Sequence, residues 1–135
     1  MQITPEERRK LIEQAIDARK RAYAPYSNYP VGAALMTASG KIIAGVNVEN
    51  AAYPTSMCAE RTAVFSAVAQ GEREFRAVAV VTENGGTPCG SCRQALSEFG
   101  LDTLVLVARA DGEVVLETTV GGLLPEAFGR DELSG

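Results

Sequence analysis

Residues 77–81 read Ala-Val-Ala-Val-Val, and this unbroken apolar run is the basis of the fold prediction. A run of this length without alternating polar positions is typical of a strand that is buried on both faces. Such a strand needs a layer of helices on each side of its sheet. The run therefore predicts a central strand in a layered α/β domain.

The segments on both sides of this run alternate between strand and helix patterns. Apolar residues at helical spacing predict a helix from about residue 4 to residue 24, with Thr4 as its N-cap and Pro5 as its first residue. Two further helices are predicted at 58–69 and 89–99, and strands at 31–37, 41–48, 104–107 and 114–116. Five strands interleaved with three main helices predict helices on both faces of one sheet. The first two strands should be antiparallel, and the pattern leaves the later pairings open.

Length, charge and hydropathy indicate the number of domains and the partners that the protein is not expected to have. With 135 residues and no repeat, low-complexity block or linker, the sequence predicts one domain over residues 1–135. The net charge of −4 disfavours a nucleic acid polymer as substrate, because such binding depends on a positively charged surface. No apolar run approaches the roughly 20 residues of a transmembrane helix, and residues 1–7 lack the pattern of a secretory signal. We therefore expect a cytoplasmic location and no membrane partner.

The chain has three cysteines and no histidine, which excludes any mechanism that needs a histidine base or ligand from this chain. Cys89 and Cys92 form a C-x-x-C pair at the start of one predicted helix, and Cys58 lies at the start of another. An odd number of cysteines cannot all pair as disulfides within the chain. Taken alone, the C-x-x-C pair fits a redox dithiol or half of a structural zinc site as well as it fits a catalytic site.

A metal centre is the interpretation that uses all three thiols. Both helix starts follow predicted strands, where α/β sheets build their sites, so the two helix N-termini can converge. Zinc takes about four ligands, and a catalytic site keeps one position for water, which three cysteines would leave open. Three thiolates around a divalent ion leave a net negative charge, which the partial positive charge of the two helix N-termini would offset.

Two residues close to Cys58 have side chains that suit such a centre. Glu60 could face the metal without binding it and move protons between water and a substrate. The alternative for Glu60 is an exposed carboxylate in the first helical turn. Arg61 could donate a hydrogen bond to a thiolate and add a full positive charge. Helix geometry alone leaves a solvent-facing Arg61 equally open.

These residues belong to longer motifs. Residues 55–61 read TSMCAER and residues 88–94 read PCGSCRQ, and together they closely resemble the small homotetrameric, zinc-dependent cytidine deaminases. Residues 26–34 (YSNYPVGAA), 45–50 (GVNVEN) and 123–128 (LLPEAF) resemble further segments of that family. The resemblance runs in order from about residue 23 to residue 128. It implies a three-layer α/β/α sandwich with a mixed five-stranded sheet.

The resemblance also implies a role for each matching residue. The Zn²⁺ ligands would be Cys58, Cys89 and Cys92. Glu60 would be the catalytic proton shuttle, and Arg61 would balance the charge of the thiolates.

The residues that would bind the nucleoside come from several segments. Tyr29 would lie beside the base, Asn47 and Glu49 would bind the ribose hydroxyls, and Ala59 would contact the base through its backbone. In a homotetramer with sites at the subunit interfaces, three residues would reach a neighbouring subunit's site: Ala51, Tyr53 and Phe128.

The activity implied by the resemblance is hydrolytic deamination of free cytidine and deoxycytidine to uridine and deoxyuridine, with release of ammonia, as in pyrimidine salvage. Blasticidin S deaminases share C-A-E and P-C-x-x-C, so deamination of such an antibiotic is an alternative, although residues 26–34 and 45–50 favour cytidine. A non-catalytic zinc-binding module is another alternative, and it would need a carboxylate as its fourth ligand. A redox protein that uses Cys89 and Cys92 is the third.

Three positions depart from the pattern of the family. Tyr29 stands where the family commonly has phenylalanine, so its hydroxyl group needs room or a partner. Ser91 replaces a common alanine, and Gly122 replaces a frequent acidic residue. Neither of these two changes removes a ligand or a proton-transfer group.

Overall fold

The computed structural model of the chain describes residues 3–133, so residues 1, 2, 134 and 135 of the predicted domain lie outside the described part. The helices are α1 (Pro5–Arg19), α2 (Ala59–Ala69), α3 (Gly90–Ser97) and the short α4 (Val120–Leu123). The strands are β1 (Gly32–Thr37), β2 (Ile42–Val46), β3 (Phe75–Thr82), β4 (Leu104–Arg109) and β5 (Val114–Thr119). Single 3₁₀ turns occur at Tyr53–Thr55 and Arg130–Glu132. Within residues 3–133, every helix is too short or too polar to cross a bilayer.

The five strands form one mixed sheet in the order β2-β1-β3-β4-β5. Strand β1 pairs antiparallel with β2 and with β3, β3 pairs parallel with β4, and β4 pairs antiparallel with β5. The antiparallel pairing of the first two strands agrees with the prediction. Strand β3 is the centre of the sheet, and residues 77–82 are all buried, as the apolar run predicts.

Side chains of the sheet alternate between two cores. On one face, Leu11 of α1 packs in a core that includes Ala79 of β3. On the other face, Val64 of α2 and Leu96 of α3 share a core with Val80 of β3. One helix therefore covers one face and two helices cover the other, which confirms the predicted three-layer α/β/α sandwich.

Helix α1 ends at Arg19, five residues before the predicted end near residue 24. The prediction was wrong because the chain beyond the helix pairs with the segment that follows β2. The Tyr23 N–H donates to the Asn47 carbonyl, and the Tyr23 carbonyl accepts from the Glu49 N–H. Ala22 donates to the Arg19 carbonyl in a turn, and the extended pairing begins at the next residue.

The start of α1 is capped as predicted. The Thr4 hydroxyl accepts from the Glu7 N–H, and the Glu7 carboxylate accepts from the Thr4 N–H, which together make a capping box. The same carboxylate forms an ion pair with Arg76 of β3, with an N–O distance of 3.0 Å. Glu7 thus joins the first turn of the helix to the sheet, and Arg76 lowers the pKa of its carboxyl group.

The start of α2 lies directly on β2 because Gly45 has no side chain. A Cβ atom on Gly45 would lie 2.3 Å from the Ala59 carbonyl oxygen and 2.6 Å from the Ala63 nitrogen. The Thr62 hydroxyl oxygen accepts from the Val46 N–H at 3.0 Å and lies 2.8 Å from the Ala59 carbonyl oxygen, to which it can donate. Close packing and these hydrogen bonds fix the first turn of α2 relative to the sheet.

Candidate metal centre and active site

The three cysteines meet at the N-termini of α2 and α3. Cys58 is the N-cap residue of α2 and Cys89 is the N-cap residue of α3. Cys92 lies within the first turn of α3, and helical side chains lean toward the N-terminus. The sulfur of Cys89 is 3.8 Å from that of Cys58 and 3.5 Å from that of Cys92, and all three sulfurs lie within 4.8 Å of one another.

This spacing fits a zinc ion. Sulfur ligands about 2.3 Å from a tetrahedral zinc are roughly 3.8 Å apart. All three cysteines are free, and their exposure runs from the exposed Cys89 to the buried Cys92. The sequence contains no fourth cysteine and no histidine that could close the site. The cluster could therefore hold zinc with a position left for water, as catalytic sites do.

Arg61 lies against the thiol cluster. Its Nη2 donates to the Cys58 sulfur at 3.4 Å, while its buried Nε has no hydrogen-bond partner among the described residues. Hydrogen bonds from Cys92 and then from Arg61 lower the pKa of Cys58 to about 5. The hydrogen bond to Cys58 and burial raise the pKa of Cys92. The cluster thus stabilises a thiolate at Cys58, and Arg61 lies where its charge can balance it.

Glu60 is buried beside the cluster, with only 4% of its surface exposed. It belongs to the first turn of α2, one residue after Ala59. Burial raises the pKa of Glu60 to about 7, and the negative charge of Cys58 acts in the same direction. A carboxyl group that titrates near neutral pH can both accept and donate a proton. The exposed carboxylate that the helix pattern left open is not what the structure contains.

A cavity of about 300 Å³ opens beside the cluster, at the lower end of the range for small-molecule sites. Its walls bring together most of the residues that the resemblance singled out. They are Tyr29, Asn47, Glu49, Cys58, Ala59, Glu60 and Cys89.

Asn47 and Glu49 hold the loop that carries Tyr29. The Asn47 Oδ1 accepts from the Val31 N–H at 2.8 Å, and its Nδ2 donates to the Tyr29 carbonyl at 3.0 Å. The Glu49 carboxylate accepts from the N–H and the hydroxyl of Ser27, and these hydrogen bonds lower the pKa of Glu49. An amide oxygen and an amide nitrogen can each make one more hydrogen bond. Binding of ribose by these two residues stays a prediction.

Ala51, Tyr53 and Phe128 do not line this cavity, although Tyr53 lines a neighbouring one together with Glu49. Tyr53 is 69% exposed and packs edge-on against Tyr26, with the ring centroids 5.8 Å apart. Phe128 is 56% exposed, and its carbonyl accepts from the Gln94 Nε2 at 2.9 Å. Their assignment to a neighbouring subunit's site stays a prediction.

Two side chains outside the predicted site, those of Thr82 and Arg93, shape the loop between β3 and α3. The Thr82 hydroxyl accepts from the N–H groups of Gly85 and Gly86, each at 2.8 Å. The Arg93 Nε donates to the Pro88 carbonyl at 2.7 Å. The polar Thr82 directly after the apolar run at 77–81 was the available signal for its role in the loop. Nothing in the spacing of the sequence indicates the role of Arg93.

The departure at Gly122 has a steric reason. A Cβ atom there would lie 2.5 Å from the Thr118 hydroxyl oxygen, so a side chain at this position would require the Thr118 hydroxyl group to move. The Gly122 N–H instead donates to the Thr119 hydroxyl, which caps α4. Ser91 is exposed on α3 and needs no such adjustment.

A thiol cluster with an open ligand position next to a carboxyl group that titrates near neutral pH is suited to hydrolysis. The fold and the site therefore define a zinc-dependent hydrolytic enzyme built on an α/β/α sandwich. The family model described as "Cytidine and deoxycytidylate deaminase zinc-binding region" matches residues 5–108. The chain belongs to the cytidine and deoxycytidylate deaminase family, as the motifs predicted, and is a hydrolytic deaminase.

Individual relatives agree with this assignment. A cytidine deaminase from Sporosarcina psychrophila is 48% identical over 93% of this chain and 93% of its own length. The crystal structure of a cytidine deaminase from Burkholderia pseudomallei is 50% identical, with a TM-score of 0.84, and the match covers 93% of this chain and all of that one. A blasticidin-S deaminase from Bacillus cereus is more distant, at 30% identity over 90% of this chain and 92% of its own.

Proposed function

We propose that the chain catalyses the zinc-dependent hydrolytic deamination of free cytidine and deoxycytidine. Cytidine and water become uridine and ammonia, and deoxycytidine gives deoxyuridine. The observation that carries the proposal is the position of Glu60, buried beside three converging sulfurs on the wall of a cavity of small-molecule size. The much higher identity to cytidine deaminases than to blasticidin-S deaminase favours cytidine.

Cys58, Cys89 and Cys92 would hold the zinc ion, with Arg61 balancing the charge of the thiolates. Zinc bound there supplies a Lewis acid that makes a water molecule nucleophilic at neutral pH. Arg61 supports this role through its hydrogen bond to the Cys58 sulfur. The N-termini of α2 and α3 add partial positive charge beside the same sulfurs.

Glu60 would move the protons. Its carboxylate takes a proton from the attacking water, and the resulting acid delivers it to the ring nitrogen next to the carbon that bears the amine. In a second transfer, Glu60 takes the proton of the newly added hydroxyl group and delivers it to the amine. The carbonyl of uridine then forms as the carbon–nitrogen bond breaks and ammonia leaves. The burial of Glu60 beside the three sulfurs supports this double use, because a desolvated carboxylate takes up a proton more readily than an exposed one.

Tyr29, Asn47, Glu49 and Ala59 would bind the nucleoside. Asn47 and Glu49 line the cavity and retain capacity for a sugar hydroxyl, since an amide and a carboxylate offer a donor and acceptors. Ala59 lies between Cys58 and Glu60 and lines the cavity, so its backbone would contact the reacting base.

The test is ultraviolet monitoring of cytidine conversion by the zinc-loaded protein, with and without a chelator. Glu60→Gln keeps the shape of the side chain but cannot cycle a proton, so we expect a loss of turnover of about 10²–10⁴-fold at unchanged zinc content. Near-normal turnover of zinc-loaded Glu60→Gln would exclude this residue as the shuttle. An inactive wild-type protein with full zinc would instead support a non-catalytic zinc module.

Steady-state rates on cytidine and on blasticidin S distinguish the two deaminase activities. We expect kcat/KM for cytidine to be the larger of the two. A larger kcat/KM for blasticidin S than for cytidine would identify the antibiotic as the substrate. Titration of the thiols in the zinc-loaded protein tests the redox alternative. That alternative requires Cys89 and Cys92 to react with a thiol reagent, whereas zinc-bound cysteines should resist it.

A homotetramer with sites at the subunit interfaces is part of the proposal. The exposed pair of Tyr26 and Tyr53 supports it, because two aromatic rings next to a cavity suit a protein interface. Ala51, Tyr53 and Phe128 would then reach a neighbouring site. Light scattering coupled to size exclusion gives the oligomeric state, and a monomer with full activity would contradict it.

We also propose a cytoplasmic location. Three free thiols that must stay reduced to bind zinc suit a reducing compartment. Cell fractionation with antibody detection tests this, and recovery from an oxidising compartment would contradict it.

A further inference from the structure

The hydroxyl group of Tyr29 joins two loops that border the cavity. One is the Tyr29 loop, residues 24–31, which connects the end of α1 to β1. The other is the cysteine loop, residues 83–88, which leads from β3 to Cys89. The Tyr29 Oη donates to the Asn84 Oδ1 at 2.6 Å across the two loops, although the residues are 55 positions apart in sequence.

Gly86 of the cysteine loop makes room for this hydroxyl group. A Cβ atom on Gly86 would lie 2.5 Å from the Tyr29 Oη, which is closer than real Cβ contacts allow. The next nearest atoms, Tyr29 Cζ at 3.7 Å and Asn84 Oδ1 at 3.8 Å, are at ordinary contact distance. Among the neighbouring atoms, only the hydroxyl oxygen is too close to a Cβ atom at Gly86, and a phenylalanine at position 29 would leave room for an alanine there.

Each loop is also fixed to its own side of the cavity. The Tyr29 loop is held by Asn47, whose Nδ2 donates a hydrogen bond to the Tyr29 carbonyl. The cysteine loop is held by Thr82, whose hydroxyl accepts from the Gly86 N–H at 2.8 Å. The hydrogen bond between Tyr29 and Asn84 links these two supported loops. The distance between the loops sets the width of the cavity, because Tyr29 and Gly86 both line it.

We propose that Tyr29, Asn84 and Gly86 form a latch that sets the width of the cavity, and that Tyr29 is thereby a positioning residue for the substrate. The inference deepens the proposed function and rests on it. Since the hydroxyl proton is already donated to Asn84, Tyr29 acts through the position of the cysteine loop rather than by donating to the substrate. Its hydroxyl should affect KM more than kcat.

A double-mutant cycle tests the latch. Tyr29→Phe and Asn84→Ala should each raise KM for cytidine by about 2–10-fold, the effect of one net hydrogen bond, with kcat within about 2-fold of wild type. The double variant should be no worse than either single variant, because both remove the same hydrogen bond. Tyr23→Phe is the matched control: it removes a hydroxyl from a tyrosine that is 55% exposed, and KM should not change.

The steric half of the latch has its own test. Gly86→Ala should lower kcat/KM by at least about 10-fold and lower Tm when Tyr29 is present, since overpacking is destabilising. In the Tyr29→Phe background, the same change should cost less than about 2-fold and leave Tm unchanged. Equal effects of Gly86→Ala in both backgrounds, or additive effects of Tyr29→Phe and Asn84→Ala, would overturn the latch.

These outcomes separate the latch from the proposed function. A wild-type protein that does not deaminate cytidine would overturn the proposed function alone. The Tm values of the Gly86→Ala pair would still decide the latch in that case, because the steric rescue does not depend on turnover. If Gly86→Ala folds only together with Tyr29→Phe, that rescue supports the latch as well.

Discussion

Gly45→Ala is a demanding test of how the fold positions the site. The change adds one methyl group to β2, on the side that faces the first turn of α2. The nearest contact of the new Cβ, with the Ala59 carbonyl oxygen, must lengthen from 2.3 Å to at least 3.0 Å, so α2 must retreat by about 0.7 Å or more. Overpacking of this kind costs about 1–3 kcal/mol of folding free energy.

The same movement reaches the reacting groups. Cys58 and Glu60 flank Ala59 in the sequence, so a retreat of the first turn displaces a zinc ligand and the proton shuttle together. A misplacement of about 1 Å can reduce a reaction rate by roughly 10²-fold. We therefore expect Gly45→Ala to fold with a lower Tm and to lose about 10²-fold in kcat.

The assay combines thermal unfolding, zinc content and steady-state kinetics on cytidine. Ala44→Ser is the matched control, because the preceding residue on β2 is exposed and its added oxygen can be hydrated. A Gly45→Ala protein with the Tm, zinc content and kcat of wild type would refute the reasoning. It would mean that α2 can move relative to β2 without moving the site.

Three further predictions follow from contacts of single side chains. Arg61→Gln should lose zinc to a chelator faster than wild type, because the hydrogen bond from Arg61 lowers the pKa of Cys58 and favours its thiolate; equal rates of zinc loss would contradict this. Glu7→Gln should lower stability to urea at pH 7 but not in strong acid, since a pKa held below the ordinary 4.5 by Arg76 adds stability above that value and loses it as the pH falls; a difference that persists in acid would argue against the ion pair. Asn47→Ala should raise KM for cytidine by at least about 10-fold, because it frees the Tyr29 loop as well as removing polar groups from the cavity; an unchanged KM would remove Asn47 from the binding site.

The layered fold was predictable because it follows from local composition. The apolar run at 77–81 has no polar position that could face water, so the strand had to be central, and the structure places it there. The helix from residue 4 was only half predictable. Its start depends on Thr4 and Glu7, which are neighbours in sequence, whereas its end depends on the pairing of Tyr23 with Asn47, which lies on another element.

The site divides in the same way. The two helix starts indicated that Cys58 could meet Cys89 and Cys92, the resemblance implied all three as ligands, and the structure brings the sulfurs together. The hydrogen bond between Tyr29 and Asn84 was not predictable, because its geometry depends on how two distant loops pack. A tyrosine at position 29 indicated that its hydroxyl group needs a partner, and the three-dimensional structure identifies that partner as Asn84.

The thiol cluster takes its sulfurs from two helices, since Cys58 belongs to the start of α2 and the other two cysteines to α3, 31 residues later. An ion held by all three would act as a cross-link between segments that the sheet alone brings together. The free energy of metal capture would then add to the free energy of unfolding, in proportion to the logarithm of the free metal concentration. Cellular zinc supply would in this way govern the folded fraction of the enzyme as well as its turnover.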